Sequence, residues 1–227
     1  MSDNKRLAAE AAVEEVRDGM VVGLGTGSTA FWAIAAIGAR VAAGLRITAV
    51  ATSEASAAQA SGLSIPLLDM GAVDRLDLAI DGADEIDARL FAIKGAGGAM
   101  TREKIVAAAA DRMVVIADDS KRVAAIGAAA PVPVEVLPFA QGFVTRRLVA
   151  LGAAVEPRRR DGTPYLTDGG NPVLDARFAA LADPRAIGAA LDAMPGVIGH
   201  GLFLDEIAAA YIAAGGVVSR LDRPAAV

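Results

Sequence analysis

The sequence predicts an α/β protein: a parallel, Rossmann-like sheet flanked by helices, with a smaller inserted α+β domain. Three observations predict it. In the first half of the chain, short apolar runs alternate with helical patterns, as strands joined by crossover helices do. Polar loops follow several of these runs, as expected where parallel strands end at one edge of a sheet. From Ala128 the character changes to proline-punctuated strands and a hairpin, before an apolar return near the C-terminus. The expected division is an α/β catalytic domain over 1–128 and 203–227, and a small α+β lid or oligomerisation domain over 129–202.

The elements follow in order. Ser2 or Asp3 can cap a first helix whose Ala8, Ala9, Ala12, Val13 and Val16 share one face, ending at Asp18-Gly19. Residues 20–24 read as a strand, followed by GTGSTA and a helix over 31–43 that Gly44 closes. Residues 47–51 form a second strand, and Ser53 opens a helix that Gly62 stops. Residues 64–68 and 76–80 read as third and fourth strands, the last ending at Asp81. A helix over 101–110, which Thr101 can cap, leads to a strand over 113–117. The small unit then runs strand, helix, strands, helix, strand: PVPVEVLPF, 140–151, the region of Val155, the hairpin TPYLTDGGNPVLDAR and a helix over 184–194. GLFLDEIAAAYIAAGGVVSRL returns to the main sheet.

Composition narrows the chemistry. There is no cysteine, so disulfides, a thiolate nucleophile and a Cys/His zinc site are excluded. His200 is the one histidine, so acid–base work falls to Asp, Glu, Lys or Tyr. A net charge of −5 without a basic face argues against nucleic acid. The run Arg158-Arg159-Arg160, followed by Asp161-Gly162, reads as a solvated hairpin end. The amphipathic N-terminus lacks a signal-peptide core, and no run approaches the ~18–20 apolar residues of a membrane span. A soluble, cytoplasmic protein without a membrane partner is expected.

Four features carry possible chemistry. GLGTGST, residues 23–29, lies between a strand and a helix, where glycine-exposed amides and a helix N-terminus suit a phosphate. Ser28 stands where a dinucleotide fingerprint wants glycine, and no lysine completes a Walker loop, so a monophosphate fits better. A glycine turn with a Ser/Thr cap is the plain alternative. Asp81, Asp84, Glu85 and Asp87 crowd seven positions; Ile86 rules out an EF-hand, while a two-acid magnesium site and an Asx turn stay open. Lys94 precedes Gly95-Ala96-Gly97-Gly98, an arrangement suited to an oxyanion and equally to a surface lysine. Glu103 opens a helix, as a base or for its dipole. Lys5 and Lys121 can reach a phosphate or pair with acids, and His200, between two glycines, reads as a turn or interface residue.

Taken together, GLGTGST, TSEAS, DGADEID, KGAGGAMTREK, ADDSK, PVEVLP, DGGNPVLD and PGVIGHGLF resemble, in order and spacing, the A-type ribose-5-phosphate isomerases. The resemblance spans residues 5–203; Ala96 stands where some members have glycine. It implies aldose–ketose interconversion of ribose 5-phosphate and ribulose 5-phosphate, in the non-oxidative pentose phosphate pathway. By motif position it implies Glu103 as the base between C2 and C1 through an enediolate. Lys94 and the amides of Gly95, Ala96 and Gly97 would stabilise the charged oxygen. Asp81 would assist ring opening and Asp84 would hold sugar hydroxyls. Thr26, Gly27, Ser28, Thr29, Gly82 and Ala83 would contact substrate, and Lys5 and Lys121 its phosphate. It further implies no cofactor, no metal and a homodimer or larger homo-oligomer, and leaves Glu85 and Asp87 without a task. The competing readings are a non-catalytic sugar-phosphate sensor, an amino-sugar phosphate deaminase, which commonly enlists a histidine, and a nicotinamide-dependent dehydrogenase, which Ser28 disfavours.

Overall fold

The computed structural model describes residues 2–179 and 181–223. In chain order its elements begin with α1 (Ser2–Val13), β1 (Val21–Leu24), α2 (Ala30–Ala42), β2 (Thr48–Ala51), α3 (Glu54–Gly62) and β3 (Leu78–Gly82). They continue with β4 (Glu85–Ile86), β5 (Ala92–Ile93), α4 (Met100–Ala109), β6 (Met113–Asp118), β7 (Val132–Val136), α5 (Gln141–Ala150) and β8 (Ala153–Pro157). The remainder are β9 (Arg159–Arg160), β10 (Thr163–Pro164), β11 (Val173–Phe178), α6 (Pro184–Asp192), β12 (Val197–His200), β13 (Leu202–Phe203), β14 (Ile207–Ala214) and β15 (Val217–Asp222). These divide into two compact units: Met1–Ala83, Arg102–Arg122 and Asp205–Val227 in one, Asp84–Thr101 and Val123–Leu204 in the other.

The first unit is built on a six-stranded sheet ordered β15-β14-β6-β3-β1-β2. Five strands are parallel; β15 turns back antiparallel through Gly215 and Gly216, both at positive φ. All six residues of β6 are buried, as befits a strand in the interior of a helix-covered sheet. Ala8, Ala9, Ala12 and Val13 of α1 join Ala33, Ile34 and Ile37 of α2 in one core with Val22, Leu24, Leu78 and Ile80. Alanine at these positions lets helix backbones lie close to their neighbours.

Three expectations for this unit are corrected. The first helix ends at Val13, and 14–17 form a turn and an extended lead into β1. Residues 64–68 do not form a strand: Leu67 makes one isolated bridge to Ala49, because Pro66 has no N–H to extend a ladder. The strand expected at 76–80 runs from Leu78 to Gly82, so Asp81 lies inside it.

The second unit carries a four-stranded antiparallel sheet, β12-β7-β11-β8, and a three-stranded sheet, β13-β5-β4. Val144 and Leu148 of α5 and Leu191 of α6 share a core with Val134, Val136, Leu174 and Ala176. Residues 84–101, expected in the α/β domain, belong here because β4 and β5 pair with β13. Glu85 explains part of that grouping. Its carboxylate is 3% exposed and accepts from the amides of Gly127 (2.6 Å), Ala128 (3.2 Å), Ala129 (2.5 Å) and Ala130 (2.7 Å). Asp87 accepts from the amides of Arg89 (2.9 Å) and Phe91 (3.2 Å) and from the Arg89 guanidinium.

A buried carboxylate shared by four amides is expensive to lose, since each orphaned donor costs about 1–3 kcal/mol. Glu85→Gln is expected to lower unfolding stability by about 3 kcal/mol or more, read from the urea midpoint; an unchanged midpoint would remove this anchoring role.

Candidate active site

Within the first unit, β2, β1, β3 and β6 run parallel, so their carboxyl ends share one edge, the usual location of ligands in such sheets. The loops after β1 and β2 are stitched together there. Thr26 Oγ1 lies 2.8 Å from both Thr52 Oγ1 and Ser53 Oγ, and Ser56 Oγ donates to the carbonyl of Gly25 at 2.6 Å. Thr26's hydroxyl therefore faces the neighbouring loop. Gly27 takes φ +106°, the left-handed region that glycine enters without strain, and the loop passes directly into α2. Thr29 is buried and its side chain does not cap α2, so a helix cap does not account for the loop. Ser28 is exposed and its Oγ accepts from Lys5 Nζ at 2.9 Å, bringing α1's lysine to the loop. Lys121 ends a 3-10 turn after β6, capped by the Asp118 carboxylate that accepts from Ser120 N at 3.0 Å.

Asp81 is the second-last residue of β3 and is 3% exposed. Its Oδ1 accepts from the amides of Gly82 (2.7 Å) and Thr26 (3.0 Å). A Cβ on Gly25 would collide with this carboxylate, so the second glycine of the motif makes room for Asp81. Glu103 lies in the first turn of α4 and is 5% exposed. The far end of α4 sits beside the start of β3, where Leu76 N donates to Ala109 O at 2.8 Å, and Val106 packs on Gly23 of β1. Six residues at about 1.5 Å rise carry Glu103 about 9 Å from there toward the carboxyl end of β3, near which Asp81 lies. Lys104 pairs with Glu206 at 3.0 Å. Burial pushes the Glu206 carboxyl up, but the charge and hydrogen bond of Lys104 and the backbone amides outweigh it, so its pKa lies below the ordinary value. That contribution to stability is present above the ordinary carboxylate pKa and is lost as pH falls through the depressed one.

The second unit holds Asp84, Lys94, Gly95, Ala96 and Gly97, residues that the resemblance singles out. Lys94 follows β5, is 2% exposed, donates its amide to Gly201 O at 2.9 Å and holds Nζ 5.3 Å from the Phe203 ring centroid. It is not a surface lysine. Asp84 Oδ2 accepts from Ala96 N at 2.8 Å, so that amide is engaged by a carboxylate. Gly95 takes φ +104°. Thr101, expected as a helix cap, lies within α4; its hydroxyl donates to buried Glu135, which also accepts from Thr167 Oγ1 (2.7 Å) and Asn171 Nδ2 (3.0 Å). His200 is not in a turn: it lies buried in β12, with Nε2 3.0 Å from Asp192 Oδ1 and Nδ1 accepting from Leu202 N. Arg158 departs from the solvated reading. Its side chain is only 12% exposed and bonds Asp175 and the carbonyls of Gly95 and Ala96. Arg159 and Arg160 are exposed, as expected of the β9–β10 hairpin.

The family model of ribose 5-phosphate isomerase A (phosphoriboisomerase A) matches residues 48–216. The chain belongs to this family. A ribose-5-phosphate isomerase A of Sphingopyxis alaskensis is 56% identical over 94% of this chain and 93% of its own length. One of Roseiflexus sp. is 50% identical over 100% and 99% respectively. Among solved structures, the ribose 5-phosphate isomerase A of Methanocaldococcus jannaschii superposes with a TM-score of 0.92 at 37% identity, covering 97% of this chain and 98% of that one. A D-ribose-5-phosphate isomerase in complex with phospho-erythronic acid gives 0.93 at 36% identity, covering 96% and 97%.

The isomerase family thus supplies the reaction against which Gly25 can be tested. Gly25→Ala is expected to lower kcat/KM for ribose 5-phosphate by about 100-fold, because it displaces a site carboxylate by about an ångström. Unchanged kinetics in the folded variant would mean that Asp81 needs no such fixed position.

Proposed function

We propose that this chain interconverts D-ribose 5-phosphate and D-ribulose 5-phosphate by a proton shift through an enediolate, with Glu103 as the base. Glu103 takes the C2 proton of the open-chain aldose while the C1 carbonyl accepts the electron pair. The same proton, or one from solvent, then goes to C1 while the C2 hydroxyl passes its proton to the negative C1 oxygen, leaving the ketone at C2 and a hydroxyl at C1. Lys94 stabilises the negative oxygen. Asp81 assists opening of the furanose ring, and Asp84 holds sugar hydroxyls. Lys5, Lys121 and the loop from Thr26 to Thr29 hold the phosphate. The observation that carries this reading is a glutamate buried in the first turn of α4, a helix packed on the sheet whose strand β3 holds the buried Asp81, in a member of this family. Two carboxylates in different surroundings suit separate acid and base tasks.

The pathway is then the non-oxidative pentose phosphate pathway, in the cytoplasm, with no cofactor, metal, nucleic acid or membrane required. The net charge of −5 agrees, and no helix among the described residues is long and apolar enough to cross a membrane. A homodimer is the proposed assembly, with the small α+β unit as the subunit contact; fully exposed Phe139, with exposed Leu137 and Phe143 nearby in sequence, supports it.

Wild-type protein in EDTA is expected to turn over ribose 5-phosphate, and Glu103→Gln to lose about 1000-fold in kcat while still binding a sugar-phosphate analogue. Normal turnover by Glu103→Gln would show that the base is elsewhere. Loss of wild-type activity on chelation, restored by Mg²⁺, would return the acidic cluster to the metal reading. Lys94→Ala is expected to depress kcat far more than it raises KM, since the charged oxygen exists chiefly in the transition state; a pure KM effect would make Lys94 a binding residue only.

A further inference from the structure

Arg158 is the one member of the arginine run with a largely enclosed side chain, 12% exposed, and each of its three guanidinium nitrogens donates a hydrogen bond. Nε and Nη2 form a fork with Asp175, at 2.9 Å to Oδ2 and 2.5 Å to Oδ1. Nη1 donates to the carbonyls of Gly95 at 2.7 Å and Ala96 at 3.1 Å. Tyr165 Oη adds a bond to the next carbonyl, Gly97, at 2.8 Å, with its ring against Gly98 so closely that a Cβ there would strike it. Three successive carbonyls of the loop after Lys94 are therefore held from one side.

The consequence follows from peptide geometry. In a trans peptide the C=O of one residue and the N–H of the next point in opposite directions. Fixing the Gly95 and Ala96 carbonyls on Arg158 sends the Ala96 and Gly97 amides to the opposite side. There Ala96 N meets Asp84 Oδ2 at 2.8 Å, so the same clamp sets the angle of Asp84. Left to itself, a segment with Gly95 at φ +104° and Gly98 at φ +82° samples many conformations. A guanidinium locked by a carboxylate fork is a rigid object against which to fix it.

We infer that Arg158, oriented by Asp175, is a positioning residue for isomerisation: it holds the Gly95–Ala96–Gly97 backbone so that Asp84 and the loop amides meet the reacting sugar in fixed directions. The inference rests on the isomerase reading above. Arg158 touches no reacting atom; it acts through the loop. A clamp that preorganises groups acting on developing charge affects the chemical step more than ground-state binding.

The test is steady-state kinetics of Arg158→Ala and Arg158→Lys with ribose 5-phosphate, beside wild type and thermal melts. Arg158→Ala is expected to lose about 100-fold in kcat with KM changed less than about threefold. Arg158→Lys, which cannot make the fork and both carbonyl bonds together, is expected to lose about tenfold. Guanidinium chloride far below denaturing concentration is expected to restore part of the Arg158→Ala rate, which a merely structural role would not predict. Wild-type kcat in a folded Arg158→Ala, or in Arg158→Lys where the alanine variant does not fold, would overturn the inference. So would a loss expressed only in KM, or one that guanidinium does not relieve. An inactive wild type would instead overturn the isomerase reading, so the two failures are distinct.

Discussion

Asp81 is a carboxylate buried at the end of an interior strand, and the surrounding loops are arranged around keeping it there. Removing a charge from water costs several kcal/mol unless hydrogen bonds replace the lost solvation. Here the amides of Thr26 and Gly82 do so. Thr26 can present its amide because β1 and β3 are parallel neighbours and because Gly25 carries no side chain to fill the space. Its hydroxyl is in turn fixed by Thr52 and Ser53 from the loop after β2. One buried acid thus links three strand ends, and the phosphate-type loop inherits its shape from that link.

The acidic cluster that begins at Asp81 separates by environment. Glu85 and Asp87 are saturated by backbone amides and Arg89, and they act as scaffold for the second unit. Asp81 and Asp84 also take backbone amides, Asp81 from Gly82 beside it in β3 and Asp84 from Ala96 in the glycine loop. Glu103 stands apart in sequence, buried in the first turn of α4. A proton-transfer enzyme needs this kind of separation, with carboxylates of one chemical type held in unlike surroundings.

Much of this was legible in the chain. The parallel sheet declares itself through apolar runs such as residues 113–117, and the polar loops after them point to one edge. The acidic cluster is visible by type and spacing, whereas Lys94 and Glu103 take their proposed roles from the family resemblance. What escaped was set by contacts distant in sequence. Arg158 looks like its two neighbours until Asp175 and the carbonyls of Gly95 and Ala96 are brought to it. Glu135 gives no signal until Thr101, Thr167 and Asn171 surround it. Strands of two residues, as β4 and β5 are, carry no periodicity, so the segment 84–101 could not be assigned to its unit. At 64–68 an apolar pattern was present, and Pro66 prevented the ladder.

The claim on which the account rests is that the hydrogen moves as a proton taken by a carboxylate. Turnover of ribose 5-phosphate by the wild-type protein in D2O, followed by NMR over many turnovers, tests it directly. Deuterium is expected to accumulate at C1 of ribulose 5-phosphate and C2 of ribose 5-phosphate, because a proton resting on Glu103 exchanges with solvent. Full interconversion over many turnovers with no deuterium in either sugar would contradict a carboxylate base whose proton exchanges with solvent.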